Sequence, residues 1–228
     1  DSNETVYVAF ESKQTEGSVI GFVYKNSLGW SDPYYTGVDI GYCRHPKMTF
    51  DSQSNVCIVW EDHRRTHQEV YLNIFLSDEL KWKGEVKLST NPFGSYRPAI
   101  SSYMDDIFVS LTQASEYNTS HIEVLKYNVL NGSKLSAVVV SGINARADHS
   151  SILCNVAGKV MVAWQDNPDG KYEIYSSILS PSLDITTSYS AITDSHGGAK
   201  FPVLSEQLAT GFIYIAWQDY KSGDYSSF

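Results

Sequence analysis

The sequence predicts an all-β fold built from a repeated four-stranded antiparallel unit, and three observations support this. An apolar segment recurs as Val56-Cys57-Ile58-Val59-Trp60-Glu61-Asp62, Val160-Met161-Val162-Ala163-Trp164-Gln165-Asp166 and Ile213-Tyr214-Ile215-Ala216-Trp217-Gln218-Asp219. Weaker copies run from Val6 to Ser12 and from Ile107 to Gln113, so the large apolar residue falls at Phe10, Trp60, Leu111, Trp164 and Trp217, in steps of 50, 51, 53 and 53. Short strand-like runs separated by turn residues fill each interval, with no helical period anywhere. A period of about 50 residues holding four strands is the pattern of a β-propeller, where each unit is a blade and stacked blades bury one another's faces. Tandem immunoglobulin-like domains need about 100 residues each and do not fit.

The strands of each unit follow in order. A first strand begins after a polar turn at Arg44-His45-Pro46-Lys47-Met48, Tyr96-Arg97-Pro98-Ala99-Ile100, Asp148-His149-Ser150-Ser151-Ile152 and Lys200-Phe201-Pro202-Val203-Leu204. The second is the repeated apolar segment. Nearly every position in it is apolar, as expected for a strand covered on both faces. The third starts near Val70-Tyr71, Ile122-Glu123 and Ile174-Tyr175, after turns such as Asn167-Pro168-Asp169-Gly170. The fourth lies around Trp30, Trp82, Leu135 to Val140 and Ile185 to Tyr189. Blades are expected at approximately 1–41, 42–94, 95–144, 145–197 and 198–228, in a single propeller domain. The first and last are incomplete, so about five blades are represented by eighteen strands, and the chain reads as a segment of a longer one. The Asp closing each copy (Asp62, Asp166, Asp219) is expected to accept hydrogen bonds from turn N–H groups, because it recurs in each blade rather than once per site.

Composition excludes several functions. Lys and Arg number 17 against 26 Asp and Glu, a net charge of −9, which argues against a phosphate-binding face and hence against nucleic acid as a partner. No apolar run approaches the roughly 18 residues of a membrane span. Cys43, Cys57 and Cys154 have no metal-like spacing and read as buried free thiols. No cofactor is expected. The histidines His45, His149 and His196 come from separate blades and lack close partners, so no metal site is expected either.

Trp164-Gln165-Asp166-Asn167-Pro168-Asp169-Gly170-Lys171-Tyr172-Glu173-Ile174-Tyr175 resembles the repeat of bacterial, archaeal and viral propellers with Trp-x-Asp, a Gly-containing turn, then Ile-Tyr. These repeats are similar to those of sialidase-type and TolB-type propellers, and the resemblance covers nearly the whole chain. It implies the fold directly.

For the site, Arg44, Arg97 and Arg146 enter three successive blades, with Lys200 in a fourth, and could form a basic ring at one channel mouth. Tyr96 and His149 stand beside them. Glycosidases use two carboxylates, and Asp51, Asp148 and Glu206 are the first-strand candidates, though no motif fixes a catalytic role for any of them. Arg64-Arg65 with His63 and His67 reads as a solvated basic hairpin tip. Tyrosines near turns, including Tyr34, Tyr35, Tyr42, Tyr117, Tyr189 and Tyr225, suit sugar stacking or protein contacts. Three glycosylation acceptor patterns, at Asn3, Asn118 and Asn131, permit an extracellular location. Replacement of Trp-x-Asp by Leu111-Thr112-Gln113 removes a carboxylate, which favours binding over catalysis. The expectation is therefore a non-enzymatic recognition or assembly module for glycan or protein ligands, extracellular, surface or virion-associated. The alternatives are a sialidase-like or other glycoside hydrolase, and a structural component of a larger particle.

Overall fold

The computed structural model describes residues 5–36, 41–64, 66–143, 145–195, 197–208, 210–221 and 224–227. Asn3, Arg65 and His196 lie outside them, as does the side chain of Tyr225. Five antiparallel sheets follow one another along the chain. The first holds β1 (Val6–Gln14), β2 (Gly17–Asn26), β3 (Gly29–Trp30) and β4 (Tyr34–Tyr35); the second holds β5 (Arg44–Phe50), β6 (Val56–Asp62), β7 (Glu69–Leu76), β8 (Lys81–Trp82) and β9 (Val86–Lys87). The third is β10 (Ser95–Tyr103), β11 (Asp106–Ala114), β12 (Ser120–Asn128) and β13 (Ser133–Val139); the fourth is β14 (Asp148–Cys154), β15 (Val160–Asp166), β16 (Glu173–Leu179) and β17 (Ile185–Ala191). The fifth holds β18 (Ala199–Gln207), β19 (Phe212–Lys221) and β20 (Asp224–Ser227). Because β3 and β4 both pair with β2, and β8 and β9 both pair with β7, each couple is one interrupted outer strand, leaving the eighteen blade strands expected among the described residues.

Burial explains the composition of the second strands. In β6 all seven residues are buried, because sheets cover both its faces. At the ends of the series, β1 and β19 alternate between covered and exposed residues, because only one face has a neighbour. The core is laminated between sheets: Tyr7 and Phe22 pack with Ile58 and Trp60, Leu72 and Ile74 with Ile107 and Val109, Val124 with Val162 and Trp164, and Ala163 with Ile215 and Trp217.

The repeat's Trp and Tyr are one structural unit. Trp60 sits opposite Tyr71 and Trp164 opposite Tyr175 across the second and third strands, with rings stacked at 6.0 and 6.3 Å between centroids. The terminal Asp then ties its hairpin to the segment entering the first strand of the same blade. Asp62 accepts from the Arg64 N–H at 2.8 Å and from Cys43 Sγ at 3.3 Å; Asp166 accepts from the N–H groups of Asn167 at 2.7 Å and Arg146 at 3.0 Å; Asp219 accepts from Ser195 Oγ. Gln113 does the same work in the third blade, accepting from Ser95 Oγ. Burial alone would raise both Asp62 and Asp166. Only Asp166 ends up raised, because the Arg64 guanidinium beside Asp62 carries that carboxyl below its usual range. Truncation of Asp166 to Ala leaves two main-chain donors without their acceptor, so a stability loss of about 1–3 kcal/mol is expected by urea denaturation. A loss below about 0.5 kcal/mol would show that water replaces the carboxylate.

Candidate functional site

The first strands β5, β10, β14 and β18 adjoin one another in order and share one local distortion. Each pairs regularly with its second strand except at a bulge, where the register shifts between Arg44 and Lys47, Tyr96 and Ala99, Asp148 and Ser151, and Lys200 and Val203. The first residue inside each bulge is left-handed: His45 at φ 54°, Arg97 at 50°, His149 at 50° and Phe201 at 56°. The spacing is 52 residues each time. Bulky residues rarely adopt positive φ, and a bulge there re-aims the side chain. The four side chains converge on a hollow of about 310 Å³ that they line together with Lys47, Ser150 and Pro202.

The left-handed N–H is capped from the preceding blade. The middle residue of that blade's Trp-x-Asp segment accepts it: Glu11 from His45 at 2.8 Å, Glu61 from Arg97 at 2.6 Å, and Gln165 from Phe201 at 3.0 Å. The remaining junction, between the third and fourth blades, differs. Thr112 occupies the middle position, and its side chain carries no such reach. Asp148, the residue before the left-handed one, substitutes: its Oδ1 accepts the His149 N–H at 2.8 Å and the Thr112 hydroxyl at 3.1 Å. Its Oδ2 then faces Arg97 Nη1 and lies 3.2 Å from His149 Nδ1. The residue before the left-handed one is therefore a carboxylate at this junction, where Arg44, Tyr96 and Lys200 stand at the others. The carboxylate missing from Leu111-Thr112-Gln113 is thus a hairpin residue, and Asp148 stands against Arg97 and His149, two side chains that line the hollow.

Around Asp148 the charges are interlocked. Arg97 Nη1 lies 3.2 Å from His149 Nδ1, so that one ring nitrogen faces both the guanidinium and the Asp148 carboxylate. Buried Glu61 takes the Arg97 N–H and lies 3.1 Å from His45 Nδ1. The Phe201 ring meets the His149 ring edge-on at 4.6 Å. Burial first, then the Arg97 guanidinium, push His149 down to about 4, with Glu61 pulling upward and His45 and Lys200 adding smaller downward contributions.

Of the residues expected to form a basic ring, the structure brings Arg97 and His149 into the hollow. Tyr96 lies under the Arg97 guanidinium at 5.7 Å, and Lys200 lies 4.5 Å from the Tyr172 ring centroid. Arg44 stands one residue before the left-handed position and lines a neighbouring hollow with Tyr42, Glu61 and His63. Arg146 precedes its first strand by two residues, where its N–H serves Asp166. The three arginines therefore occupy three different positions of the repeat.

Two carboxylate candidates also move. Asp51 is buried and caps its own turn, accepting from the N–H groups of Gln53 and Asn55, while Glu206 meets the Val156 N–H at 3.4 Å. Arg64 is not a solvated tip: it folds onto Asp62 and Glu85 and lies 4.6 Å over the Tyr71 ring. Tyr34 is likewise internal, stacked on Phe22. Tyr42 and Tyr117 are exposed. Among the described residues, no group of three or more His, Cys, Asp and Glu side chains could hold a metal ion, and no helix is long and apolar enough to cross a membrane.

The fold has counterparts among solved structures. The chain is similar to an endo-arabinase from Bacteroides thetaiotaomicron, with 12% identity, TM-score 0.58, and coverage of 100% of this chain and 89% of that one. It is similar to the NanB sialidase of Streptococcus pneumoniae, in its K499G mutant, at 12% identity and TM-score 0.58; 91% of this chain matches, spanning only 33% of NanB. It is also similar to an α-L-arabinanase of Cellvibrio cellulosa complexed with arabinohexaose, at 14% identity and TM-score 0.51, over 81% of this chain and 73% of that one. No family model and no curated protein match. The chain has an all-β propeller fold shared with arabinanases and sialidases. The expectation of a non-enzymatic recognition or assembly module is corrected by these neighbours, which are glycoside hydrolases and favour the enzymatic alternative.

The neutral state of His149 has a pH consequence. In the unfolded chain the imidazole takes a proton near its ordinary 6.5, whereas the folded one resists until about 4. Stability is therefore expected to fall as pH drops through that window, by at most about 3 kcal/mol from this residue. Urea denaturation at pH 7 and 4.5 should show a steeper loss for the native chain than for His149→Gln. Equal slopes would mean that His149 titrates normally.

Proposed function

We propose that the chain is the propeller of a glycoside hydrolase and that the axial hollow is its active site. The observation that carries this reading is the changed capping at one junction, where Asp148 holds Thr112 and is ion-paired with Arg97 beside His149, two side chains that line the hollow. Glycosidic cleavage uses two carboxyl groups, one giving a proton to the leaving oxygen and one acting on the anomeric carbon directly or through water. Asp148 is assigned the second role. Glu61, bonded to the Arg97 N–H and bordering the neighbouring hollow, is assigned the first. Arg97, His45 and His149 would donate to sugar hydroxyls, and Phe201 supplies an apolar wall. The ligand is accordingly a glycan, and a secreted location fits such a substrate. Incubation with aryl furanosides, aryl pyranosides and arabino-oligosaccharides tests the proposal. Release of aglycone or reducing ends from at least one of them is expected, whereas binding to glycans without release from any would overturn it.

A further inference from the structure

We propose that the sugar bound in the hollow is a hexuronate, whose carboxylate is held by the Lys47 ammonium while its anomeric carbon lies toward Asp148. This rests on the reading of the hollow as a sugar site and names the sugar. Acidic residues outnumber basic ones by 26 to 17 in the chain as a whole. The wall of the hollow runs the other way: it carries Lys47, Arg97, His45 and His149 and, among the described residues, no Asp or Glu. A concave site lined by one sign of charge gathers ligands of the other.

The carboxylates beside this wall are already engaged. Glu11 accepts the His45 N–H at 2.8 Å, Glu61 accepts the Arg97 N–H at 2.6 Å and lies 3.1 Å from His45 Nδ1, and Asp148 faces Arg97 Nη1 and His149 Nδ1. Lys47 has no such counter-ion. It is exposed, and among the described residues its ammonium makes neither a hydrogen bond nor an ion pair. A neutral hydroxyl is served by any donor, whereas an open ammonium is matched best by an anionic oxygen. After burial, the Arg97 guanidinium is what most disfavours a proton on His149, so the field at the hollow already runs positive.

The fold decides where on the sugar the anion lies. Lys47 stands on β5 of the second blade, opposite Val59, where pairing resumes after the bulge. Asp148 opens β14 of the fourth blade, and β10 lies between these strands in contact with both. The group that holds the anion and the group assigned to the anomeric carbon are therefore separated by a whole strand. A carboxylate carried on the anomeric carbon itself, as in the 2-keto acid sugars, would meet Asp148 rather than Lys47, and two carboxylates in one place repel. A hexuronate carries its carboxylate on the exocyclic carbon beyond the ring oxygen, off the anomeric centre. That leaves one end of the ring for Asp148 and the other for Lys47, with Phe201 on the wall from the fifth blade to meet the apolar C–H face.

Trigalacturonic acid, its methyl ester and sialyllactose are the probes, titrated calorimetrically into the protein at low salt, with the sugar recovered afterwards by chromatography to record cleavage. The acid is expected to bind roughly tenfold more tightly than the ester, the worth of a hydrogen bond to a charged group, and to lose that margin as sodium chloride is raised. Lys47→Ala, a change at an exposed side chain that should leave the melting temperature alone, is expected to bring the acid down to the level of the ester, and Lys47→Glu to place it below. The inference is overturned by equal affinity of acid and ester in the wild type, by no binding of the acid at millimolar concentration, by tighter binding of sialyllactose than of the acid, or by an unchanged preference in Lys47→Ala. Cleavage is a separate readout. Preference for the acid without release of any product upholds the hexuronate and counts against hydrolysis, whereas cleavage of arabino-oligosaccharides with no preference for the acid upholds hydrolysis and overturns the hexuronate.

Discussion

Asp148→Asn is expected to lower glycoside hydrolysis by about 10²–10⁴-fold, the usual worth of one acid or base group. The substitution keeps the shape of the side chain, and its amide oxygen can still accept from the His149 N–H and the Thr112 hydroxyl, so the bulge remains capped. What disappears is the negative charge facing Arg97. The guanidinium is 40% exposed and can turn to water, so little stability should be lost. Rate and folding therefore separate in this variant: turnover collapses while the melting temperature stays within a few degrees. Glu61→Gln should also impair turnover, because the amide keeps an oxygen for the Arg97 N–H but has no proton to give at the leaving group. Wild-type turnover in Asp148→Asn would remove the axial carboxylate from the chemistry.

Trp164→Ala carries the largest expected cost in stability, about 3–5 kcal/mol, as for other fully buried large-to-small changes. The indole is wholly buried, packs with Val124 of the third blade and stacks on Tyr175 of its own. Its removal opens a cavity at a seam between two sheets, where neither strand can close in without breaking its ladder. Trp30, exposed on an outer strand, offers the contrast: Trp30→Ala should change stability by about 0.5 kcal/mol or less. Urea denaturation of the two variants side by side checks the difference. A cost below about 1 kcal/mol for Trp164→Ala would mean that the blades are not held together by this residue.

Much of the fold is legible in the sequence because it repeats. The recurring Trp and Asp mark the buried second strand and its hairpin, and the polar runs at Arg44, Tyr96, Asp148 and Lys200 mark where first strands begin. The site is less legible. Which side chain reaches the channel depends on a left-handed residue whose N–H is held from another blade, and a long-range bond of that kind leaves no local composition signal. Proline after His45, Arg97 and Phe201 is the trace it does leave. Arg44, Arg97 and Arg146 look equivalent when only charge and approximate spacing are compared, but a shift of one residue at a bulge sends a side chain elsewhere. Thr112 and Asp148 are 36 residues apart, and their exchange of roles can be seen only once the two blades are packed together. Asp51 looked like a channel carboxylate until its turn hydrogen bonds placed it at the far end of β5.

Sugar is expected to bind in the hollow between His45, Arg97, His149 and Phe201. This binding is tested most directly by NMR of the histidine rings in the Asp148→Asn chain, mixed with an oligosaccharide that the wild type cleaves and the variant leaves intact. The ring signals of His149 and His45 should move on titration, while those of His63, His67 and His121 stay in place. Movement confined to His63 and His67, with His149 unchanged, would put the ligand at the neighbouring hairpin and contradict the assignment.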